Sequence, residues 1–261
     1  MVNSTNGRLY LVGLGPGDHR YTTPAGLEIL EGCDTVVGYR GYIEQLGELV
    51  QGKELVAMEL GQELERAAAA VDLAYTGRIV AVVSSGDAGV YGMAGPVFHV
   101  LTERQWDGRV PQVGIVPGVS AMQAAASLLG APLMQDFCAI SLSDLLTPWE
   151  AIHRRLEAAA QADFVIAIYN PRSHRRTSQL PEARRILLEH RAGSTPVGLV
   201  RDAYRPGQAI TITDLQRLEQ HYQNIDMFTT VVVGNSTTYI HSGRIITPRG
   251  YEEKLTHRQK P

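Results

Sequence analysis

The 261-residue chain has only two cysteines, Cys33 and Cys138, and they form no C-x-x-C pair. That scarcity excludes a disulfide framework and a thiolate zinc site, and it fits a reducing cytoplasm. Basic residues are not in excess: 24 Lys and Arg against 27 Asp and Glu leave a formal net charge of -3. Nucleic acid is therefore not an expected partner, since such binders usually carry a basic footprint. No run of about 18 apolar residues occurs, so no membrane span is expected. The opening "MVNSTNGRLYLVG" lacks the charged region and long apolar core of a secretory signal. The eight histidines contain no H-E-x-x-H or similar spacing, so no protein-held metal is expected. What remains is 44% hydrophobic and 20% charged, an ordinary globular composition.

Short apolar runs alternate with helical patterns. "LYLVGLG", "DTVVGY", "ELVAME", "RIVAVVSSGD" and "VPQVGIVPG" read as strands. Thr23 caps a helix that has Pro24 in its first turn, and Gln62 to Tyr75 is an alanine-rich helix stopped by Gly77. Strands alternating with helices imply a largely parallel sheet covered on both faces. The pattern then resets at "GAPLMQDF". "CAISLSD", "DFVIAIYN", "TPVGLVRDA", "QAITITDL" and "FTTVVVGN" are the strands of a second series, with helices at Trp149 to Ala160 and Pro181 to His190. The expectation is an α/β chain of two domains, residues 1–130 and 138–261, joined by a linker at 131–137. A cleft between such domains is a common place for a small-molecule site. The final "EEKLTHRQKP" is polar and expected to fray.

The first glycine loop, Gly13-Leu14-Gly15-Pro16-Gly17-Asp18, is not a dinucleotide fingerprint. Asp18 stands where G-x-G-x-x-G needs its third glycine, and its carboxylate opposes a pyrophosphate. No Gly-Lys-Ser/Thr follows, which excludes a P-loop. A tight turn that needs glycine freedom is the plain alternative. The second loop, "VVSSGDAGVYGMAGPVFHVL", has a glycine at every third position from Gly86 to Gly95 and one acid, Asp87, just past a strand end. Ligands of open parallel sheets bind there, and side-chain-free positions let them approach the backbone. The alternative is a flexible turn with Asp87 as a helix cap. A third turn, "VPGVSAMQAAASLLG", adds small residues.

In the second half, "YNPRSHRRTS" and then Arg201, Asp202 and Arg205 follow strand ends. Arginines in that position suit carboxylates, which guanidinium groups bind in bidentate pairs. For Arg175 and Arg176 a solvated surface run is an equal reading.

Together these residues resemble the tetrapyrrole methylases, the methyltransferases of the cobalamin and siroheme pathways. "VGxGPGD" matches Val12 to Asp18, the "GD" loop matches Ser85-Gly86-Asp87, and "PGxSA" matches Pro117 to Ala121. "SSGDAGVYGMAG", "SLSDLLTPW", "IYNPRSHRR" and "TTVVVGNSTTY" resemble the branch that methylates carbon 17 of precorrin-3B or cobalt-precorrin-3 and contracts the macrocycle. The resemblance implies a two-domain class III methyltransferase fold, a homodimer, S-adenosylmethionine as methyl donor and a tetrapyrrole substrate. It implies cofactor contacts at Pro16, Ser85, Gly86, Asp87, Val90, Ser120, Ala121, Asn170, Ala203 and Thr229. Gly15, Gly17, Arg172 and Arg201 are the expected substrate contacts. Ring contraction needs proton transfers, for which Asp18 and Asp144 are candidates by motif position; His99 is another, although a packed helical histidine is the preferred reading of it. Ala88 and Asn170 depart from several relatives, which carry Gly-Asp-Pro and an apolar residue there. A sister methylase acting at another carbon, or a non-catalytic tetrapyrrole carrier, are the alternatives.

Overall fold

The computed structural model describes residues 7–251; the tail expected to fray, 252–261, lies outside them. The chain separates into two compact units that divide at Ala121/Met122.

In the first unit five strands form one parallel sheet: β1 (Arg8–Gly13), β2 (Thr35–Tyr39), β3 (Glu54–Met58), β4 (Ile79–Ser84) and β5 (Gln112–Val116), in the order β3-β2-β4-β1-β5. Period-two alternation sends successive residues to opposite faces. Leu9, Leu11, Val37, Val80 and Val82 pack under α3 (Glu63–Tyr75) and α4 (Ala94–Glu103). Val12, Val36, Ala81 and Val83 pack under α1 (Pro24–Gly32) and α2 (Arg40–Leu46). Both faces are therefore buried, as expected for strands that read as continuous apolar runs. Helix α1 starts as its sequence requires, with the Thr23 hydroxyl accepting from Gly26 N–H at 3.2 Å and Pro24 at the first position.

The helix α5 (Ala121–Leu129) runs from this division into the second unit. There Ala125 and Leu129 share a core with Val165, Val200, Val232 and Ile245. The division thus falls ahead of the stretch expected as a linker, because the apolar face of α5 packs with these later strands. Residues 131–137 hold the end of a two-residue strand β6 (Gly130–Ala131), a turn, and the start of β7 (Phe137–Ser141). The main sheet of this unit also contains β8 (Val165–Tyr169), β9 (Pro196–Arg201), β10 (Ala209–Asp214) and β11 (Thr229–Val233), in the order β10-β9-β11-β8-β7. Only β7 and β8 pair in parallel; β11 and β10 run antiparallel to their neighbours. Helices α6 (Trp149–Gln161) and α7 (Gln179–His190) cover one face through Ile152, Leu156, Ile186 and Leu187. A small hairpin, β12 (Tyr239–His241) and β13 (Arg244–Ile246), pairs with β6, an element the sequence pattern did not suggest. No helix among the described residues is long and apolar enough to cross a membrane.

The contact between α5 and the sheet depends on Gly198. A Cβ there would stand 2.5 Å from Leu129 Cδ2 and 3.0 Å from its Cγ. Gly198→Ala should cost roughly 1–3 kcal/mol in urea unfolding by overpacking a fully buried leucine. In a Leu129→Ala background, where that space is empty, the same change should cost much less or stabilise. Equal costs in the two backgrounds would disprove the coupling.

Candidate active site

All five strands of the first sheet end on the same edge, and the loops after β1, β4 and β5 meet there. Leu14 N–H reaches Ser84 O at 2.9 Å. Gly15 and Gly86 then form an isolated antiparallel bridge, with N–H···O distances of 3.0 Å and 2.7 Å. Beside it Gly13 and Gly118 come so close that a Cβ on Gly13 would lie 2.7 Å from both Gly118 N and Gly86 O. A Cβ on Gly118 would collide with Gly86 O and Gly13. The three loops can share this edge only because their main chains touch without side chains.

Asp87 secures the junction. Its Oδ1 accepts from Gly89 N–H at 2.8 Å and its Oδ2 from Gly118 N–H at 2.9 Å. It does not cap α4, which begins seven residues later. Ser84 Oγ accepts from Met93 N–H at 3.1 Å, closing the far side of the same loop. Buried Arg66 of α3, not anticipated from the sequence, donates Nη2 to Glu59 O at 2.7 Å and lies 3.4 Å from Met93 Sδ. In "ELERAAAA" it reads as a surface charge, and only the packing of α3 against this loop buries it. Pro16, Gly86 and Ser120 are buried, Ser85 and Ala121 half-buried, and Val90 exposed.

Asp18 is one of the two expected catalytic carboxylates. It accepts from Arg20 N–H at 2.9 Å and from Arg20 Nε and Nη2 at 3.0 and 2.7 Å. These bonds hold its pKa down to about 2. At neutral pH Asp18 is an ionised acceptor whose pKa lies far from the range that suits proton transfer. Gly15 and Gly17 line a cavity of about 10 Å³ with Leu14, His19, Thr22, Gln45, Leu46 and Ser85. It has room for a single water. His99 is not the packed helical histidine expected: it stands on the exposed side of α4, with Nε2 3.3 Å from Glu103. The apolar stripe of α4 runs through Val97, Val100 and Leu101, which leaves position 99 facing water.

In the second unit, the carboxyl ends of β7, β8 and β9 share an edge with the start of β11. Asn170, just past β8, donates Nδ2 to Ser141 Oγ at 2.9 Å and holds a φ of 49°. Its carbonyl accepts from Arg176 Nη2 at 2.9 Å. Arg176 is not part of a solvated run: it is 6% exposed, and its Nε is buried without a hydrogen-bond partner. Burial lowers its pKa. Arg175 remains exposed. Arg172 is half-buried and donates Nη1 to Tyr222 O at 2.8 Å. Arg201 is engaged by two carboxylates, Asp226 Oδ2 and Asp202 Oδ2, each at 2.9 Å. Asp226, which sequence reasoning did not single out, also accepts from the hydroxyl of buried Thr229 at 3.1 Å. Ala203 is half-buried beside the α5 core. Exposed Asp144 accepts from Gln179 Nε2 at 2.8 Å, and Leu145 and Leu146 after it stand almost wholly in solvent.

Asp87→Asn removes one of two charge-assisted acceptors and sets an amide against a backbone N–H, so it should destabilise the protein by roughly 1.5–3 kcal/mol in chemical unfolding. An unchanged midpoint would mean the junction holds without it. The Asp18 carboxyl should titrate near 2 by NMR. Its native pKa lies below the unfolded value of about 3.9. The stabilisation is therefore complete above that unfolded value and is lost as pH falls through about 2. Titration near 4 would refute the Arg20 pairing in solution.

Known proteins resemble the chain over most of its length. The family model for tetrapyrrole (corrin/porphyrin) methylases matches residues 8–219. The chain is 49% identical over 254 residues to cobalt-factor III methyltransferase of Priestia megaterium, covering 97% of this chain and 47% of that protein. It thus spans about half the length of that relative. It is 44% identical to probable cobalt-factor III C(17)-methyltransferase of Salmonella typhimurium, covering 93% of this chain and 99% of the relative. The crystal structure of the methyltransferase CobJ superposes with a TM-score of 0.87 at 38% identity, covering 93% of this chain and all of that one.

Proposed function

The chain belongs to the tetrapyrrole (corrin/porphyrin) methylases, and from that premise we propose that it is an S-adenosylmethionine-dependent C-methyltransferase of cobalamin biosynthesis. Its substrate in this reading is a cobalt-factor III or precorrin-3 type macrocycle, methylated at carbon 17 with contraction of the ring. The observation that carries the reading is the junction of Gly13, Gly86 and Gly118 with Asp87 bound across it. It places main-chain groups, the hydroxyls of Ser85 and Ser120 and the side chain of Val90 on three neighbouring loops of one sheet edge.

Those groups suit the cofactor. They are mainly neutral donors, acceptors and small apolar surfaces, appropriate to a zwitterion that carries a nucleoside. A Cβ on Gly86 would lie 3.5 Å from Ala121 N and 3.6 Å from Ser120 Cα, ordinary contact distances. Packing alone therefore does not demand that bare position; its φ of 69° favours glycine, and the bare main chain there leaves room for a ligand to approach. Pro16, Ser85, Gly86, Asp87, Val90, Ser120 and Ala121 are the positions of the first unit assigned to it. When bound, S-adenosylmethionine supplies an electrophilic methyl group and leaves as the neutral thioether S-adenosylhomocysteine, while the ring carbon contributes the electron pair of the new C–C bond.

The chain then has to position the ring, exclude water and handle protons. Gly15 and Gly17 leave the first loop low. Asp18, ionised by Arg20, accepts pyrrole N–H hydrogen bonds. Arg172 holds a substrate carboxylate. Arg201, already matched by two carboxylates, keeps the β9 edge in shape beside it. Asp144 is the carboxylate assigned to proton movement. A homodimer working in the cytoplasm completes the proposal, on the pattern of the family resemblance and a cysteine content that suits reducing conditions.

The test is turnover of labelled S-adenosylmethionine with the tetrapyrrole, followed by mass spectrometry and NMR of the product. Label at carbon 17 is the expected result. A methyl at another carbon would make the protein a sister methylase, and binding without turnover would make it a carrier. In calorimetry, Gly86→Leu should abolish S-adenosylhomocysteine binding. Arg172→Ala should weaken tetrapyrrole binding by roughly 1.5–3 kcal/mol with little change for the cofactor. Equal loss of both ligands would assign Arg172 to the fold.

A further inference from the structure

Arg66 is 3% exposed, on the inner side of α3. The other buried residues of that helix are Ala67, Ala70, Val71 and Ala74, all small and apolar. The guanidinium meets a carbonyl and a thioether instead of a carboxylate: Nη2 donates to Glu59 O at 2.7 Å, and Nη1 lies 3.4 Å from Met93 Sδ. Taking a charge out of water is costly unless its new partners compensate. An apolar side chain would continue the alanine stripe at lower cost, so the reason for an arginine is sought in the two groups that it joins.

Those groups belong to two different strand-end loops. Glu59 directly follows β3 and is itself anchored: its N–H donates to Gln62 Oε1, and its Oε1 accepts from Arg40 Nε, each at 2.8 Å. Met93 is the last residue of the glycine loop before α4. The loop folds back on itself at this point. A Cβ on Gly92 would stand 2.7 Å from Ala88 O and 2.8 Å from Asp87 O, and Ala94 N–H donates to Ala88 O at 2.9 Å. A shift of Met93 is therefore passed to Asp87 and Ala88, and Asp87 in turn holds the amides of Gly89 and Gly118.

We propose that Arg66 is a positioning residue for S-adenosylmethionine. It braces the far end of the glycine loop against the anchored end of β3, and so fixes the main chain of residues 86–90 that receives the cofactor. The inference rests on the methyltransferase reading of that loop. A thioether is a weak acceptor; the restraint comes from the rigid planar fork of the guanidinium, whose other nitrogen is bound at Glu59.

Calorimetric titration of the full chain with S-adenosylhomocysteine tests this on Arg66→Lys, Arg66→Met, Met93→Leu and the double variant of the last two, with urea unfolding of each. Arg66→Met should weaken binding about tenfold, through loss of the charged donor. Arg66→Lys keeps the charge and one donor without the fork, and should lose only about threefold. Met93→Leu conserves core volume, removes the sulfur and should also lose about threefold. In the double variant the leucine should add no further loss, because the brace is already gone. Variants that unfold at lower urea yet bind with wild-type affinity overturn the proposal, since a merely structural arginine gives that result. Losses that multiply independently in the double variant overturn it as well. Should Arg66→Met fail to fold, Arg66→Lys and Met93→Leu decide the matter, and wild-type affinity in both overturns the proposal. A wild-type protein that binds no S-adenosylhomocysteine overturns the underlying reading, whereas a binding wild type beside insensitive variants overturns this inference alone.

Discussion

At the carboxyl ends of β1, β4 and β5 there is no room for a side chain, and that constraint organises the first unit. Gly13, Gly86 and Gly118 bring three loops into main-chain contact, and the Asp87 carboxylate binds amides of two of them. Parallel strands make this possible, because their ends all arrive on one edge. The buried strand residues beneath, Leu9, Leu11, Val80 and Val82, keep those ends in register. A bulky residue at the junction would separate the loops, and the hydrogen bonds of Asp87, Gly15 and Gly86 would be lost together.

The second unit reaches a comparable edge by electrostatics. Arg201 is held between Asp202 and Asp226, and Asp226 also engages Thr229, so strands β9 and β11 are tied where they meet the loops. Arg176 turns inward and donates to the carbonyl of Asn170. A buried guanidinium is costly unless its donors find acceptors. Non-glycine residues of positive φ gather on the same strand-end loops in both units, a pattern expected where backbone geometry serves a site.

Much of this was legible in the chain itself. The apolar runs gave the strands because a sheet buried on both faces needs them, and Thr23, Pro24 and Gly77 mark helix boundaries by local chemistry. The glycine loops were readable as close approaches, although not what they would approach. Charged residues were the hard part. Arg66 reads as a surface charge and Arg176 equally as a surface or a ligand-binding charge, and both are buried, while His99 reads as a packed residue and is exposed. Arg201 reads as a contact for a substrate carboxylate, but the carboxylate of Asp226 lies 25 residues away in sequence and 2.9 Å away in space.

Hydrophobic period and turn chemistry are local, so the sequence by itself determined the strands of the two main sheets, most of the helices and the loops that carry the motifs. Pairing partners are not local. Only the tertiary structure decided that Gly13 meets Gly118, that Asp87 bridges two amides instead of capping a helix, and that the apolar face of α5 belongs with the strands of the second unit. The reason is physical: a carboxylate or guanidinium takes whichever donors and acceptors folding brings within about 3 Å, and residues far apart in the chain supply them.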